Sequence, residues 1–440
     1  MAMARSPLFE PLMLGSGVVS LQHRVVLAPL TRLRASEVEM APQAMCAEFY
    51  EQRASKGGLL ISEATNISTE SCAYHRAPGI WTDAQVLAWR QVTEKVHSKG
   101  GHIFCQLWHT GRVGHPSPQL SFVDCVLTTV ACTRGWQQHP LLKASVGAPM
   151  PSVSASAIAI RGKTWNVYPE GRKDLNATPR ALETCELERV VSDYRHAARN
   201  AMRAGFDGVE VHGAHGYLLD QFLRTGTNKR TDGYGGTPEN RCRLLLEVVA
   251  AVSEEVGPGR VAVRLSPTQP GAFDFFGASD ENQMDADGCN VTYRYAIERL
   301  NGLPLAYLLL TEPRWSGGRH DDDAEKDPGF NMPVTNSMTY RKIYKGVLMA
   351  AGGFLPSTAS EHVGNCFDLV AFGRWFLANP DLPLRIQVGA PLNHYSRERF
   401  YTHEEDGYVD YPDMTGSFGK AGKYSLIDVS LLKTKPKARL

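Results

Sequence analysis

The sequence predicts an α/β fold, a single (β/α)8 TIM barrel with a long insertion after the third strand. Two observations lead to this prediction. Short apolar stretches alternate with helical stretches from residue 24 to residue 372, which favours parallel pairing of the strands. Eight such apolar stretches occur without a break in composition, which is the number of strands that this barrel needs. The carboxyl ends of its strands lie on one face, so polar side chains that follow the strands would lie close together there.

The predicted strands are runs of apolar and β-branched residues that end at glycine, proline or a polar residue. They are residues 24–30, 59–61, 102–107, 206–211, 261–265, 306–310, 347–351 and 369–372. Helices are predicted over residues 40–55, 83–99, 181–204, 237–256 and 291–301, and from residues 218 and 357 onward. Capping signals support two of them, since Thr82 and Asp83 begin one helix and Pro238 occupies the first turn of another.

Two segments interrupt the alternation. Residues 116–152 are rich in proline, serine, threonine and glycine, which predicts a long loop insertion on the carboxyl-end face of the barrel. Residues 161–180 are predicted to form a second polar loop. We therefore divide the chain into a barrel of residues 1–415, which includes the 116–152 insertion, and a C-terminal tail of residues 416–440.

Composition restricts the class of protein. The 47 basic and 46 acidic residues give a net charge of +1, which offers no argument for a nucleic-acid-binding surface. The 9 cysteines form no C-x-x-C pair, which argues against a disulfide framework or a zinc ribbon and favours a reducing compartment. No apolar run approaches the roughly 20 residues of a membrane helix, and the N-terminal residues lack the apolar core of a signal peptide. We expect a soluble intracellular protein without nucleic-acid or membrane partners.

The stretch FDGVEVHGAHGYLLDQFL, residues 206–223, carries the densest set of reactive side chains. His212, His215 and Tyr217 follow one another at the end of a predicted strand, among small residues that let the backbone turn and a ligand approach. Two imidazoles and a phenol at this position predict an active-site rim. The alternative is a strand-to-loop turn in which the histidines cap neighbouring backbone groups.

Other strand ends bring further residues to the same face. Polar or small residues follow the first, second, third and fifth strands, namely Thr31, Ala64, Gln106 and Arg264. Glycines at 352 and 353 follow the seventh strand, and Gly373 and Arg374 follow the eighth. Barrels commonly bind a phosphate at this place through backbone N–H groups and a fixed charge, so we predict a phosphorylated ligand.

Five separated motifs, in order and spacing, resemble those of the old yellow enzyme family. They are APLTR at 28–32, QLWHTGR at 106–112, VHGAHGYLLDQFL at 211–223, RTDGYGG at 230–236 followed by ENR, and FGRWFLANPDL at 372–382. The resemblance runs from about residue 8 to about residue 412, apart from the insertion. It implies an FMN-containing barrel that takes hydride from NADPH or NADH and reduces activated C=C bonds of α,β-unsaturated carbonyls, with quinones as a further class of acceptor.

The resemblance also implies roles for the matching residues. The FMN-binding residues would be Ala28, Pro29, Leu30, Thr31, Ala64, Gln106, His212, Arg264, Gly352, Gly353, Gly373 and Arg374. Arg264 would lie at the pyrimidine edge of the flavin, and Gly353 and Arg374 would bind its phosphate. The substrate pocket would be lined by Trp108, His212, His215, Tyr217 and Tyr401.

Catalysis would depend on His212, His215 and Tyr217. The histidines would donate hydrogen bonds to the substrate carbonyl oxygen, so that the β-carbon accepts hydride from the flavin. Tyr217 would then protonate the α-carbon, because a phenol with a pKa of about 10 keeps its proton at neutral pH. Some members of the family have Asn where this chain has His215, a difference that bears on substrate range. No dinucleotide-binding fold is predicted, so the nicotinamide would bind over the flavin in a ping-pong cycle.

Two other interpretations remain open from the sequence. A metal-dependent hydrolase on the same barrel would bind zinc through His212 and His215, but no third ligand is apparent at a strand end, and no metal site is predicted. A non-catalytic barrel would not need to keep Tyr217, both histidines and Arg264.

The chain ends in Ala438, Arg439 and Leu440, a small residue, a basic residue and leucine at a carboxyl end. This is the pattern of the S-K-L type of peroxisomal signal. We therefore expect the protein in the cytoplasm or in a peroxisome-like organelle.

Overall fold

A computed structural model describes residues 6–114, 151–160, 163–167, 172–175, 177–268, 285–314, 333–416 and 426–427. Nearly all of the 116–152 insertion and most of the 416–440 tail lie outside these residues. Within them, eight parallel strands close into a barrel, which confirms the predicted fold.

The barrel strands are β1 Val25–Leu27, β2 Leu59–Ile61, β3 His102–Trp108, β4 Gly208–Gly213, β5 Val261–Leu265, β6 Tyr307–Thr311, β7 Leu348–Ala351 and β8 Leu369–Phe372. Each strand pairs with the next, and β8 pairs with β1 to close the ring. The prediction for β4 was wrong by two residues at each end, because its pairing with β5 continues to the pairs His212–Arg264 and Gly213–Leu265. His212 therefore lies within the strand, beside Arg264, and not in the following turn.

The helices are α1 Ala44–Arg53, α2 Asp83–Ser98, α3 Leu187–Arg203, α4 Leu218–Leu223, α5 Pro238–Val256, α6 Val291–Leu300, α7 Asn336–Arg341, α8 Pro356–Ser360, α9 Arg374–Ala378 and α10 Leu382–Val388. The capping signals act as predicted. Thr82 and Gln85 form a capping box at the start of α2, and the Thr237 side chain accepts a hydrogen bond in front of Pro238. The third helix begins at Leu187 and not at residue 181, because a 3-10 turn, Thr184–Glu186, precedes it.

The barrel interior is apolar at its amino end and polar at its carboxyl end. Side chains alternate along each strand, and the inward-facing positions include Phe104 and Ala262 in one buried cluster. The antiparallel hairpin of Leu12–Leu14 and Val19–Leu21 packs into the same cluster. Two residues further along β5, the next inward position holds a buried arginine, Arg264. This change of polarity places the candidate site at the carboxyl end.

The prediction of a polar loop over residues 161–180 was wrong in part. Lys163–Val167 and Arg172–Leu175 pair as antiparallel strands, and Arg180–Ala181 pairs in parallel with Val153–Ser154. These strands escaped prediction because they lack the apolar runs that mark the barrel strands. Two residues of the tail, Leu426–Ile427, also pair with Leu392–Asn393.

Among the described helices, none is both long enough and apolar enough to cross a membrane.

Candidate active site

The three side chains predicted to be catalytic lie together at the carboxyl end of β4. His212 is within the strand, and His215 and Tyr217 are in the turn that leads to α4. The His212 ring centroid lies 5.3 Å from that of His215 and 5.1 Å from that of Tyr217, with the rings nearly perpendicular in both pairs. Trp108, the last residue of β3, packs edge-on against Tyr217 at 4.9 Å. One turn and one neighbouring strand thus assemble two imidazoles, a phenol and an indole.

The turn holds His215 in an uncommon backbone conformation. Its φ of 59° lies in the left-handed region, which costs a residue with a side chain roughly 1 kcal/mol. Hydrogen bonds on both sides support it. The His215 amide donates to Ser266 Oγ at 2.9 Å, and the Gly216 amide donates to Asp220 Oδ2 at 2.7 Å. Asp220 is held in turn by Arg224 Nε at 2.8 Å, so the backbone at His215 and Gly216 is fixed both from the end of β5 and from α4.

Both histidines are electrically neutral near pH 7. Burial lowers the pKa of His212 and of His215 well below the ordinary value, and the positive charge of Arg264 lowers both further. A neutral imidazole has one N–H donor and one lone-pair acceptor. Each ring can therefore donate one hydrogen bond to a ligand oxygen without bringing a charge into the site.

Tyr217 keeps its proton over the whole neutral range. Burial raises its pKa well above 10, and its contact with Tyr74, whose hydroxyl lies 3.3 Å away, raises it further. Tyr74 also stacks on Trp108 at 5.3 Å. Sequence reasoning missed Tyr74, because it lies in an irregular loop after β2 and not at a strand end. The phenol of Tyr217 is thus a proton donor held between two aromatic neighbours.

A buried hydrogen-bond network lies next to the histidines inside the barrel. Glu210 accepts from Gln106 Nε2 at 2.7 Å and from the Tyr307 hydroxyl at 2.9 Å. The Gln106 Nε2 group donates to this carboxylate, and the Gln106 amide oxygen is left to accept a hydrogen bond from a ligand. Burial raises the pKa of Glu210, and the neighbouring Arg264 opposes that shift. The amide of Gln106 and the guanidinium of Arg264 are therefore both neighbours of the Glu210 side chain.

Two hydroxyl residues at strand ends also belong to the site and were missed. Thr311, the last residue of β6, lies 3.0 Å from His215 Nε2 and 3.3 Å from Arg264 Nε. Ser266 directly follows β5 and accepts the His215 amide hydrogen bond described above. Both lie at or directly after the carboxyl end of a strand, so the same strand-end signal that indicated Thr31 and Arg264 could have indicated them.

The predicted phosphate-binding residues lie at neighbouring strand ends. Gly352 and Gly353 follow β7 with φ values of 110° and 66°, and a Cβ at Gly353 would lie 2.9 Å from the carbonyl oxygen of Arg314. Gly373 and Arg374 follow β8, where Arg374 Nη1 donates to the Tyr395 hydroxyl at 3.0 Å. Glycine is required at 353 both by conformation and by space. Together the two turns bring three glycines and one arginine to neighbouring strand ends.

The residues predicted at the first two strand ends surround the same face. Ala28, Pro29 and Ala64 are buried, and Leu30 and Thr31 are half-buried. Beside Ala64, burial raises the pKa of Glu63 to about 7. These positions line the rim between β1 and β2.

Tyr401 is brought to the mouth of the site by a segment that two buried arginines anchor. Arg32 donates to the carbonyl oxygens of Phe400 at 2.9 Å and of Gly407 at 2.7 Å, and Arg34 donates to that of Glu404 at 2.8 Å. Tyr401 itself is 56% exposed. It is still near enough that its ionisation would raise the pKa of Tyr217.

These donor and acceptor groups suit the flavin mononucleotide that the sequence predicts. A flavin has an imide N–H between carbonyl oxygens at one edge and a phosphate at its far end. The Gln106 amide oxygen and the Arg264 guanidinium match the first, and the turns at Gly353 and Arg374 match the second. Among the described residues, no three His, Cys, Asp or Glu side chains are grouped so that they could hold a metal ion.

Comparison with known proteins identifies the family. The family model described as NADH:flavin oxidoreductase / NADH oxidase matches residues 7–393. The chain is 42% identical to 12-oxophytodienoate reductase 2 of Arabidopsis thaliana over 412 residues, which cover 93% of this chain and 96% of that protein. It is 42% identical to putative 12-oxophytodienoate reductase 11 of Oryza sativa subsp. japonica over 409 residues, which cover 92% of this chain and 97% of that protein.

Solved structures agree with this result. Morphinone reductase has a TM-score of 0.77 and 40% identity, covering 96% of this chain and 100% of its own. A complex of morphinone reductase with tetrahydroNAD has a TM-score of 0.75 and 41% identity, covering 92% of this chain and 97% of its own. The family gives the hydrolase interpretation no support, and it makes this chain an oxidoreductase with FMN as cofactor and a nicotinamide as reductant. The chain belongs to the NADH:flavin oxidoreductase / NADH oxidase family, that is, to the old yellow enzymes.

Proposed function

We propose that this oxidoreductase reduces the C=C bond of small α,β-unsaturated carbonyl compounds. The observation that carries the proposal is the end of β4, where the ring of His212 lies 5.3 Å from that of His215 and 5.1 Å from the phenol of Tyr217. FMN, after reduction by NADPH or NADH, supplies the hydride. Quinones are a second class of acceptor that the same donors fit.

His212 and His215 bind the carbonyl oxygen of the substrate. Each donates one hydrogen bond, and both bonds strengthen as negative charge develops on that oxygen, which makes the β-carbon a better hydride acceptor. Burial and the charge of Arg264 keep both rings neutral. The two imidazoles therefore stabilise the developing charge by hydrogen bonds and do not transfer a proton to the oxygen.

Tyr217 then delivers its proton to the α-carbon. Its raised pKa keeps the phenol protonated before the reaction, and the contact with the Tyr74 hydroxyl at 3.3 Å favours this protonated state. Trp108 and Tyr74 shape the apolar wall beside the phenol. The names of the relatives, 12-oxophytodienoate reductase and morphinone reductase, support a small organic molecule as substrate.

The variant Tyr217→Phe tests the proposal. It should leave reduction of the bound flavin by NADPH or NADH nearly unchanged, because no proton is delivered to carbon in that step. Reoxidation by a cyclic enone such as 2-cyclohexenone should slow by about a hundredfold or more, the usual contribution of a general acid. Stopped-flow absorbance of the flavin measures both half-reactions.

A quinone acceptor provides the internal control, since its reduction places no proton on carbon and should proceed in Tyr217→Phe at close to the parent rate. Tyr74→Phe is the matched variant, because it removes the hydroxyl next to Tyr217 and keeps the phenol itself. Equal losses with enone and quinone, or no enone turnover by the parent protein, would refute the proposed function.

A further inference from the structure

The hydroxyl of Thr311 connects Arg264 with His215. Thr311 is 2% exposed at the end of β6, and its backbone carbonyl is fixed by the Asn336 amide at 2.7 Å. Its Oγ1 lies 3.3 Å from Arg264 Nε and 3.0 Å from His215 Nε2. Both neighbours are themselves predicted ligand-binding residues, so the hydroxyl lies in a position to influence them.

The protons that Arg264 and Thr311 carry determine the direction of these two hydrogen bonds. A guanidinium N–H can only donate, so Thr311 Oγ1 accepts from Arg264. The hydroxyl has a single proton of its own, and among the described residues the acceptor next to it is His215 Nε2. A buried hydroxyl that left this proton without an acceptor would lose about 1–3 kcal/mol. The arrangement therefore favours an unprotonated Nε2 on His215.

We propose that Thr311 is a positioning residue that holds His215 in the tautomer protonated at Nδ1, so that Nδ1–H is the donor His215 presents to the substrate carbonyl. This inference rests on the proposed function for the identity of the acceptor. The tautomer itself follows from the Arg264–Thr311–His215 contacts, whatever the substrate is.

His212 is in the opposite tautomer. The backbone amide of Ala214 donates to His212 Nδ1 at 3.3 Å, and an amide N–H cannot accept. The proton of the neutral His212 ring is therefore on Nε2. The two rings present different nitrogens to one ligand oxygen, which lets them approach it from different directions. If His215 adopted the same tautomer as His212, its Nε2–H would be a second donor toward Thr311 Oγ1. Its Nδ1 would then present a lone pair, and not an N–H group, to the ligand oxygen.

Nitrogen NMR reads the tautomers directly. Protein labelled with 15N at both histidine ring nitrogens, with FMN bound and near pH 7, gives a distinct two-bond 1H–15N pattern for each tautomer. The spectra of His212→Asn and His215→Asn assign the two rings by difference. We expect the Nε2–H pattern for His212 and the Nδ1–H pattern for His215. An Nε2–H pattern for His215 in the parent protein would overturn the proposal.

Substitutions at residue 311 test the cause. Thr311→Val has nearly the same shape without the hydroxyl, and it should shift His215 toward the Nε2–H pattern. Thr311→Ser keeps the hydroxyl and should keep the Nδ1–H pattern. If Thr311→Val leaves the His215 nitrogen shifts unchanged, Thr311 does not set the tautomer. Flavin absorbance of each purified variant confirms that the barrel is folded and loaded.

Ligand affinity provides a second measurement. The probe is 4-hydroxybenzaldehyde, a phenol whose oxygen would occupy the carbonyl site, with binding followed through flavin absorbance. Losing the His215 donor should weaken binding in Thr311→Val by about tenfold, the contribution of one hydrogen bond. Thr311→Ser should bind within about threefold of the parent. Unchanged affinity in Thr311→Val would refute the claim that His215 donates to the ligand through Nδ1–H.

A protein that shows the expected tautomers but reduces no enone would refute the proposed function and leave this inference standing.

Discussion

Arg374 carries a positive charge at the end of β8, and its guanidinium rests on Tyr395. Its carbon Cζ lies 5.2 Å from the centre of the Tyr395 ring, and Nη1 donates to the hydroxyl of the same residue. The charge is thus held in place before any phosphate binds. Such preorganisation lowers the entropy lost on binding.

The variant Arg374→Ala should weaken FMN binding by roughly ten- to a hundredfold, the contribution of a charged hydrogen bond to phosphate. Flavin absorbance after dialysis at low protein concentration measures the retained FMN. Tyr395→Phe is the control, since it removes the supporting hydroxyl but keeps the charge, and it should lose much less. Full occupancy in Arg374→Ala would show that another group binds the phosphate.

Asp193 on α3 should make the free energy of unfolding depend on pH. It is buried, with its pKa raised to about 7 by burial and only partly offset by Arg189. The folded state therefore binds a proton that the unfolded state releases near pH 4. This protonation stabilises the fold at low pH, and the stabilisation is lost as the pH rises from about 4 to about 7, by up to about 1.4 kcal/mol for each unit of pKa shift.

The variant Asp193→Asn should lose this dependence. Relative to the parent, its free energy of unfolding should increase between pH 4.5 and pH 7.5, as measured by urea denaturation with FMN bound. Asp83→Asn, on the exposed start of α2, is the control for exchanging a carboxylate for an amide outside the buried interior. Parallel pH profiles for the parent and Asp193→Asn would show that Asp193 does not titrate in this range.

At the scale of elements, the turn after β7 is a predicted cofactor-binding turn whose backbone conformation can be tested by substitution. Gly353 has a φ of 66°, and a Cβ there would meet the Arg314 carbonyl at 2.9 Å. Gly389, at the end of α10, has a φ of 67°, and among the described residues no heavy atom outside its own stretch of chain lies within 4 Å of the place that a Cβ would take. The two glycines therefore share the backbone strain and differ in the steric clash.

The variant Gly353→Ala should release FMN more readily and lower the melting temperature. Gly389→Ala should lower the free energy of unfolding by roughly the cost of left-handed strain, about 1 kcal/mol, and should lower the melting temperature accordingly, with FMN retained. Thermal unfolding and flavin absorbance distinguish the two effects. FMN retention in Gly353→Ala equal to that of Gly389→Ala would mean that the β7 turn does not contact the cofactor.

The barrel was predictable from sequence because its strands are buried on both faces and are therefore continuously apolar. The hairpin of Lys163–Val167 and Arg172–Leu175 lies outside the barrel and carries no such pattern. The site shows the same division. His212, His215 and Tyr217 were found because they are close together in sequence at the carboxyl end of one strand. Tyr74 was not, because only the folded chain brings it to Tyr217.

At the scale of the whole molecule, the C-terminal tripeptide bears on where the enzyme is located in the cell. We propose that Ala438, Arg439 and Leu440 form a signal of the S-K-L type, read through the leucine, the positive charge and the terminal carboxylate. The basic residues at 433, 435 and 437 would form a polar spacer that keeps the signal accessible.

A fluorescent protein that carries residues 429–440 at its own C-terminus should become punctate and coincide with a peroxisomal marker. Deletion of Leu440 should return it to the cytosol, and Arg439→Lys, which keeps the charge, should preserve the punctate pattern. Diffuse fluorescence from the intact tail would place the enzyme in the cytosol.

The anchoring of the Tyr401 segment has a consequence for how this enzyme can diverge. Arg32 and Arg34 hold that segment mainly by its backbone carbonyls, which every amino acid provides. The exposed side chain at position 401 can therefore be exchanged without loosening the mouth of the site. On the proposed function, selection in nature or in the laboratory could therefore change the acceptor range at this position without changing the side chains after β4.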